Sequence, residues 1–342
     1  MPAEAVSRLD SCLNWPVMAV PVVNVSPETK WVFGAAVQGY FKCPNQQKTS
    51  IVQLDGAYSL SKQWYLNTSG VLYMGKRSSW ILTYSLGYRD YPDKYYLRGN
   101  TFESKSDTAY TSRRFRLMAQ PMYVFSPHWA IGLNTHYQYE TAKGTFTSSS
   151  LATLNYLGIG LALQYDSRDV TFYPSSGLFL KVTASDYETL NSHYSRFGMI
   201  KTDFRHFLPI YKGLLFAYQL RTEWALGKDI PFQFLPTLGG QDLVRGVRAN
   251  MFRDNALLAL QAELRVPIYA ILSGTVFAGV GDVYNTEHWR WTTPKVGYGL
   301  GLRLTINPAK INIRVDIARN NLDNRWNTWD AYSLYLTATE AF

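Results

Sequence analysis

The chain has 342 residues, of which 15% are aromatic (25 Tyr and 10 Trp among them) and only 17% charged, so it is richer in rings and poorer in charge than a soluble domain. It contains no run of about 18 apolar residues, which excludes a bundle of membrane-spanning helices but not a membrane barrel, where only every second strand residue meets lipid. The formal net charge of +9 comes from lysines and arginines scattered without any nucleic-acid module around them; it points to anionic lipid head groups, lipopolysaccharide included, and not to nucleic acid.

Met1-Pro-Ala-Glu4 reads as the start of a mature protein, so a secretory signal is taken to have been removed. Residues 1–14 are expected to be a short periplasmic segment, and everything from 15 to 342 a single barrel. From residue 15 onward, segments of period-two alternation are separated by turn residues. They predict strands over 15–25, 31–41, 49–59, 63–74, 80–91, 110–125, 128–140, 155–165, 177–187, 195–208, 213–226, 256–266, 272–283, 295–306, 311–319 and 331–342. In Ile311-Asn-Ile-Arg-Val-Asp-Ile317 the odd positions are branched aliphatics and the even ones Asn312, Arg314 and Asp316. Short connections (126–127, 208–212, 267–271, 307–310) alternate with long ones (92–109, 141–154, 227–255, 284–294, 320–330). That is the pattern of an all-β, 16-stranded antiparallel transmembrane β-barrel with tight periplasmic turns and both termini on the periplasmic side.

A soluble β-sandwich also alternates. Here, however, the polar face carries Gly, Ser, Thr, Gln and single charges of both signs, as a wet lumen would. Aromatic residues near strand ends (Tyr73, Trp80, Trp129, Trp224, Tyr332) read as an interfacial girdle.

Two features mark the first hairpin. Pro16 and Pro21 remove backbone donors at positions of opposite parity, so strand one is expected to pair poorly where it meets the last strand, whose end is Phe342. That seam either parts laterally or is a tolerated closure defect. A turn centred on Pro27-Glu28 places Cys12 opposite Cys43 at the periplasmic rim, in an oxidising compartment, which predicts a disulfide; a register shift of two residues would leave two thiols.

Leu238-Gly-Gly-Gln-Asp-Leu-Val-Arg-Gly-Val247 resembles the Gly-Gly…(V/I)RG(F/Y) loop of the BamA/TamA superfamily of outer-membrane barrels, with Val247 in the aromatic position. Further motifs resemble the same family in the same order: Tyr165-Asp-Ser-Arg-Asp169 with Pro174 and Gly177, Glu263-Leu-Arg265 before Pro267, Gly299-Leu-Gly-Leu-Arg303, the terminal Glu340-Ala-Phe342, and the opening Val25-Ser-Pro-Glu-Thr-Lys-Trp31. The resemblance covers about Trp15 to Phe342. It implies that the sixth extracellular loop folds inward, with Gly239, Gly240, Val244, Arg245 and Gly246 as its lock and Arg245 paired to acids on the inner wall. The family's periplasmic POTRA modules have no counterpart here. Its FxDxG strand appears as Phe277-Ala-Gly279-Val-Gly281, with Gly279 in the place of the acid that normally holds the arginine. Glu263, on the inward parity of its strand, Asp316, or backbone carbonyls are the expected partners of Arg245, with Phe277 stacked on its guanidinium and Asp282 on the wrong parity. The other reading is a solvated loop charge.

His128, His136, His193, His206 and His288 form no metal-spaced cluster, no G-x-S-x-G elbow is present, and neither cysteine has a histidine partner in view. No cofactor and no covalent chemistry are expected. The resemblance implies insertion or transport of outer-membrane proteins or lipids, by way of client proteins or a separate periplasmic partner. The alternative is a passive structural barrel or small pore.

Overall fold

The computed structural model describes residues 17–26, 30–44, 46–60, 62–101, 107–144, 153–171, 173–191, 196–289, 294–305, 312–322, 332–337 and 340–342. Its strands are β1 (Val17–Ser26), β2 (Lys30–Phe41), β3 (Ser50–Ser59), β4 (Trp64–Met74), β5 (Trp80–Tyr96), β6 (Asp107–Val124), β7 (Trp129–Gly144), β8 (Thr153–Asp166), β9 (Gly177–Thr189), β10 (Phe197–Tyr211) and β11 (Leu214–Leu226). There follow β12 (Thr237–Leu238), β13 (Phe252–Arg253), β14 (Ala256–Tyr269), β15 (Leu272–Tyr284), β16 (Lys295–Thr305), β17 (Asn312–Asn320) and β18 (Tyr332–Thr337). All but β12 and β13 form one 16-stranded antiparallel sheet in sequence order; β12 and β13 pair with each other inside the long connection from β11 to β14.

The alternation read from the sequence decides which face each side chain takes. On β16, Leu300 is 58% exposed and lies on the apolar face, whereas Arg303 is fully buried on the other. Leu260, Val276, Leu302 and Leu334 share the exposed apolar face, while Glu263, Arg314 and Asp316 are fully buried on the polar one. A sheet with exposed aliphatics and buried charges inverts the soluble pattern and suits a hydrocarbon solvent. A one-residue slip in any strand would exchange the faces, so the register is strongly fixed.

Several strands outrun their expected ends. β10 continues through Pro209 and β14 through Pro267, each with a register irregularity next to the proline, which has no N–H to give the ladder. The connection after β10 is then only Lys212-Gly213, both at positive φ (44° and 83°), as a two-residue hairpin turn requires. The described part of the last strand is Tyr332–Thr337.

In the first hairpin Val17 faces Gly39 and Ser26 faces Lys30, so the register is one residue away from the one that sets Cys12 directly opposite Cys43. Cys43 is nonetheless disulfide-bonded. Cys12 and Pro16 lie outside the described residues. Pro21 lies within β1, opposite Ala35.

The chain divides into two compact units: residues 1–94, 108–163 and 184–196, and residues 95–107, 164–183 and 197–342. Within the first, Tyr73 is buried against Ile81, Met122, Ala130 and Ala162, on the face opposite to the exposed Trp64, Leu66 and Met74 of its own strand. Its parity thus excludes it from the girdle. Trp80 in this unit and Tyr332 in the second are exposed.

Candidate functional site

The site lies in the second unit, where the β11–β14 connection meets the polar face of β14 to β18. Its backbone is shaped by the glycines of the motif: Gly239, Gly240 and Gly246 have φ of 102°, 107° and 100°, and Val244 takes φ 50°. The Gly240 N–H donates to the Val247 carbonyl (2.9 Å) and that of Val247 to the Val244 carbonyl (3.2 Å), closing a tight turn with Arg245 at its tip. Gly246 donates its N–H to the Tyr335 hydroxyl (3.1 Å) and accepts from the Asn320 amide (2.6 Å). A Cβ at Gly246 would also lie 2.5 Å from the Arg319 carbonyl oxygen, so position and conformation both demand glycine. Val247, standing where the family has an aromatic residue, is fully buried among Leu238, Leu243, Val244, Phe252, Leu257 and Val283. An apolar cluster thus holds the loop's base while charges hold its tip.

The Arg245 side chain is 1% exposed. Its Nη1 donates to Asp316 Oδ2 (2.5 Å), its Nη2 to Glu263 Oε1, and its guanidinium carbon sits 3.6 Å from the centre of the Phe277 ring. Glu263, Asp316 and Phe277 all meet on the one arginine. Asp282 does not join them; it accepts from Lys295 Nζ at 2.6 Å. Gly279 also has a local reason. A Cβ there would lie 3.3 Å from the Val244 Cα and 3.1 Å from the Gln261 Cβ, so a larger residue at 279 would press on the loop. Asp316, on β17, supplies the second carboxylate instead.

Sequence reasoning missed the rest of the network. Glu263 Oε2 accepts from Arg265 Nε (2.9 Å). Asp316 also accepts from Arg303 Nη1, and Arg303 Nε reaches Glu340 (2.9 Å). Arg314 lies 3.6 Å from Asp316 and donates to Thr337 Oγ1 (2.9 Å) and to the Gln241 carbonyl (3.1 Å). Each arginine lies at an inward-parity position, a signal the sequence does contain: Arg265, Arg303 and Arg314 alternate with aliphatics as Glu263 does. Buried charges of this density persist only when paired and hydrogen-bonded. Among the described residues no group of three or more His, Cys, Asp or Glu side chains could hold a metal ion.

Phe342 does not continue β18. It is buried beside Phe207, Leu215, Ala217 and Ala341, and its carbonyl accepts from Arg265 Nη2 (3.4 Å). Placing it on the wall of the last strand was therefore wrong: Glu340, two residues earlier, is drawn to Arg303, and the terminus turns onto the polar face. Replacing Phe342 with Ala is expected to cost about 3–5 kcal/mol through the lost burial and the cavity left. A heat-induced gel shift of the folded protein would read this, and an unchanged midpoint would refute the packing role.

The Tyr165–Asp169 motif caps the turn from β8 to β9. Arg168 Nε donates to Asp166 (2.8 Å) and stacks 4.3 Å above the Phe179 ring. Asp169 accepts the N–H groups of Ser175 (2.9 Å) and Ser176 (3.2 Å). Burial pushes the Asp169 carboxyl up, but the Ser175 hydroxyl and these N–H groups outweigh it and hold it below its ordinary value. The turn gains stability above the usual carboxylate range and loses it as pH falls through the lowered value.

A family model described as the Omp85 superfamily domain matches residues 52–338. Among solved structures, BamA from Haemophilus ducreyi lacking POTRA domains 1–3 is similar with a TM-score of 0.58 at 12% identity, covering 94% of this chain and 69% of that one. CdiB from Acinetobacter baumannii gives 0.62 at 13%, over 93% of this chain and 58% of that one. CdiB from Escherichia coli gives 0.59 at 11%, over 94% and 62%. These identities carry the fold alone, and the chain spans less than two thirds of either CdiB. No curated protein matches it. Sheet, loop motif and family model agree: the chain belongs to the Omp85 superfamily of outer-membrane β-barrels.

Proposed function

We propose that this barrel acts without covalent chemistry to insert or move outer-membrane proteins or lipids by parting at the seam between β1 and β18. The observation that carries the reading is the loop lock. Arg245 ties the β11–β14 loop to β14 through Glu263 and to β17 through Asp316, whereas β18 is reached through neutral hydroxyls, from Gly246 N–H to Tyr335 and from Arg314 to Thr337. Pro21 takes a donor out of β1. β1 and β18 stand at the two ends of the sheet order, so a seam between them is where the proposal places the opening. In this reading residues 15–342 form one barrel, 1–14 lie in the periplasm, and a client outer-membrane protein arrives directly or through a separate periplasmic partner. Outer-membrane lipid, lipopolysaccharide included, supplies the surroundings that the basic charge favours.

Cysteine pairs placed along β1 and β18, in a Cys12→Ser, Cys43→Ser background, test the seam. Oxidised protein in liposomes is expected to lose its acceleration of client folding and to regain it on reduction. A locked barrel that still works at full rate would overturn the proposal. So would a steady open conductance without any client effect, which is the behaviour of a passive pore.

A further inference from the structure

The first unit holds a second charged site whose composition differs from that of the lock. A cavity of about 390 Å³ opens on the polar face of β3 to β6, and Arg89, Arg114 and Arg116 line it together with a single carboxylate, Asp55. Both oxygens of Asp55 are engaged by neutral amides: Gln53 Nε2 donates to Oδ1 (2.9 Å) and Asn67 Nδ2 to Oδ2 (3.2 Å). Asn67 can lie across the wall because Gly87 faces it; a Cβ at 87 would come within 2.2 Å of the Asn67 Oδ1. The nearby Glu140, across the ladder from Arg114, accepts from Ser112 Oγ (2.6 Å) and Gln138 Nε2 (2.9 Å) instead. Arg116 donates Nε (3.3 Å) and Nη2 (3.2 Å) to the neutral Gln138 Oε1. Arg114 makes no hydrogen bond or ion pair among the described residues.

Three guanidiniums and a single carboxylate on the lining of one cavity leave it positive, and a further anion between the guanidiniums would relieve their mutual repulsion. A guanidinium fork matches two oxygens of a tetrahedral oxyanion, and three forks around one cavity match a phosphate better than a planar carboxylate. The space suits a small solute and not a threaded chain. We infer that this cavity binds a phosphate-class oxyanion, free or carried on a small sugar, at Arg89, Arg114 and Arg116.

The full chain, refolded in zwitterionic detergent, would be titrated calorimetrically with inorganic phosphate and, in a second arm, with glucose 6-phosphate. Binding is expected in at least one arm; heat with both assigns the site to the phosphate group itself, and heat with the sugar phosphate alone to an organic phosphate. Arg114→Gln and Arg116→Gln should each weaken binding about tenfold or more, the loss of roughly one charge-assisted contact. Arg114→Lys should retain part of it. Arg113→Gln, on the opposite face and paired with Asp90 at 2.9 Å, should bind as the parent does. The gel shift on heating confirms that each variant is folded. No heat in either arm, or equal losses from Arg113→Gln and Arg114→Gln, would overturn the inference.

Discussion

Replacing Glu263 with Gln is expected to lower the barrel's heat stability more than replacing Arg245 with Ala, although Arg245 is the motif residue. Glu263 faces Arg245, Arg265 and, at 3.7 Å, Arg303, and all of these side chains are essentially sealed from solvent. Without its charge, Arg265 loses its hydrogen-bonded carboxylate and keeps the Phe342 carbonyl, the rings of Tyr173, Phe207 and Phe342, and the more distant Glu340 charge. Removing one member of a buried ionic network and stranding the others typically costs about 3–5 kcal/mol. Removing Arg245 strands nothing: Glu263 keeps Arg265, and Asp316 keeps Arg303 and Arg314. Its cost should therefore lie below that of Glu263→Gln, as loop contacts are lost without an orphaned charge. Thermal unfolding in one detergent ranks the two variants. Equal midpoints would mean that the arginine, and not the acid, organises the site.

The second large effect concerns space. A Cβ at Gly297 would lie 2.0 Å from the Arg245 carbonyl oxygen, so Gly297→Ala is expected to push the loop tip off β16 and expose the β11–β14 connection to protease, while the sheet itself stays folded. Gly279→Asp restores the acid usual in the family, but it should not strengthen the lock, because Val244 already stands 3.3 Å from where its Cβ would be. Introduced into an Asp316→Asn background it should likewise fail to rescue stability. Rescue would show that the loop can shift to accept the family's arrangement and that Gly279 is not a spatial requirement.

Much of this was legible in the chain. The strict alternation in 296–306 and 311–317 decides the two faces, because a side chain in a strand has only two directions available. The Gly-Gly…Val-Arg-Gly run announces the loop, and inward parity picks out Glu263 and Asp316 as acceptors. What stayed hidden depends on long-range closeness. The inward turn of Phe342 follows from Glu340 finding Arg303, 37 positions away, which no local pattern encodes. The positions of Tyr73 and of the hairpin register each hinge on a single residue of offset, the quantity that turn chemistry fixes least well when the turn is not a two-residue type. The cluster of Arg89, Arg114 and Arg116 required knowing which ladder positions of β5 and β6 come side by side.

Arg245 is bound to Glu263 and not merely near it. A double-mutant cycle on unfolding free energy, from Arg245→Ala, Glu263→Gln and the pair, measures that directly. The predicted result is a coupling on the order of 1–3 kcal/mol, with the double variant less damaged than the two single losses combined. Strictly additive losses would contradict it.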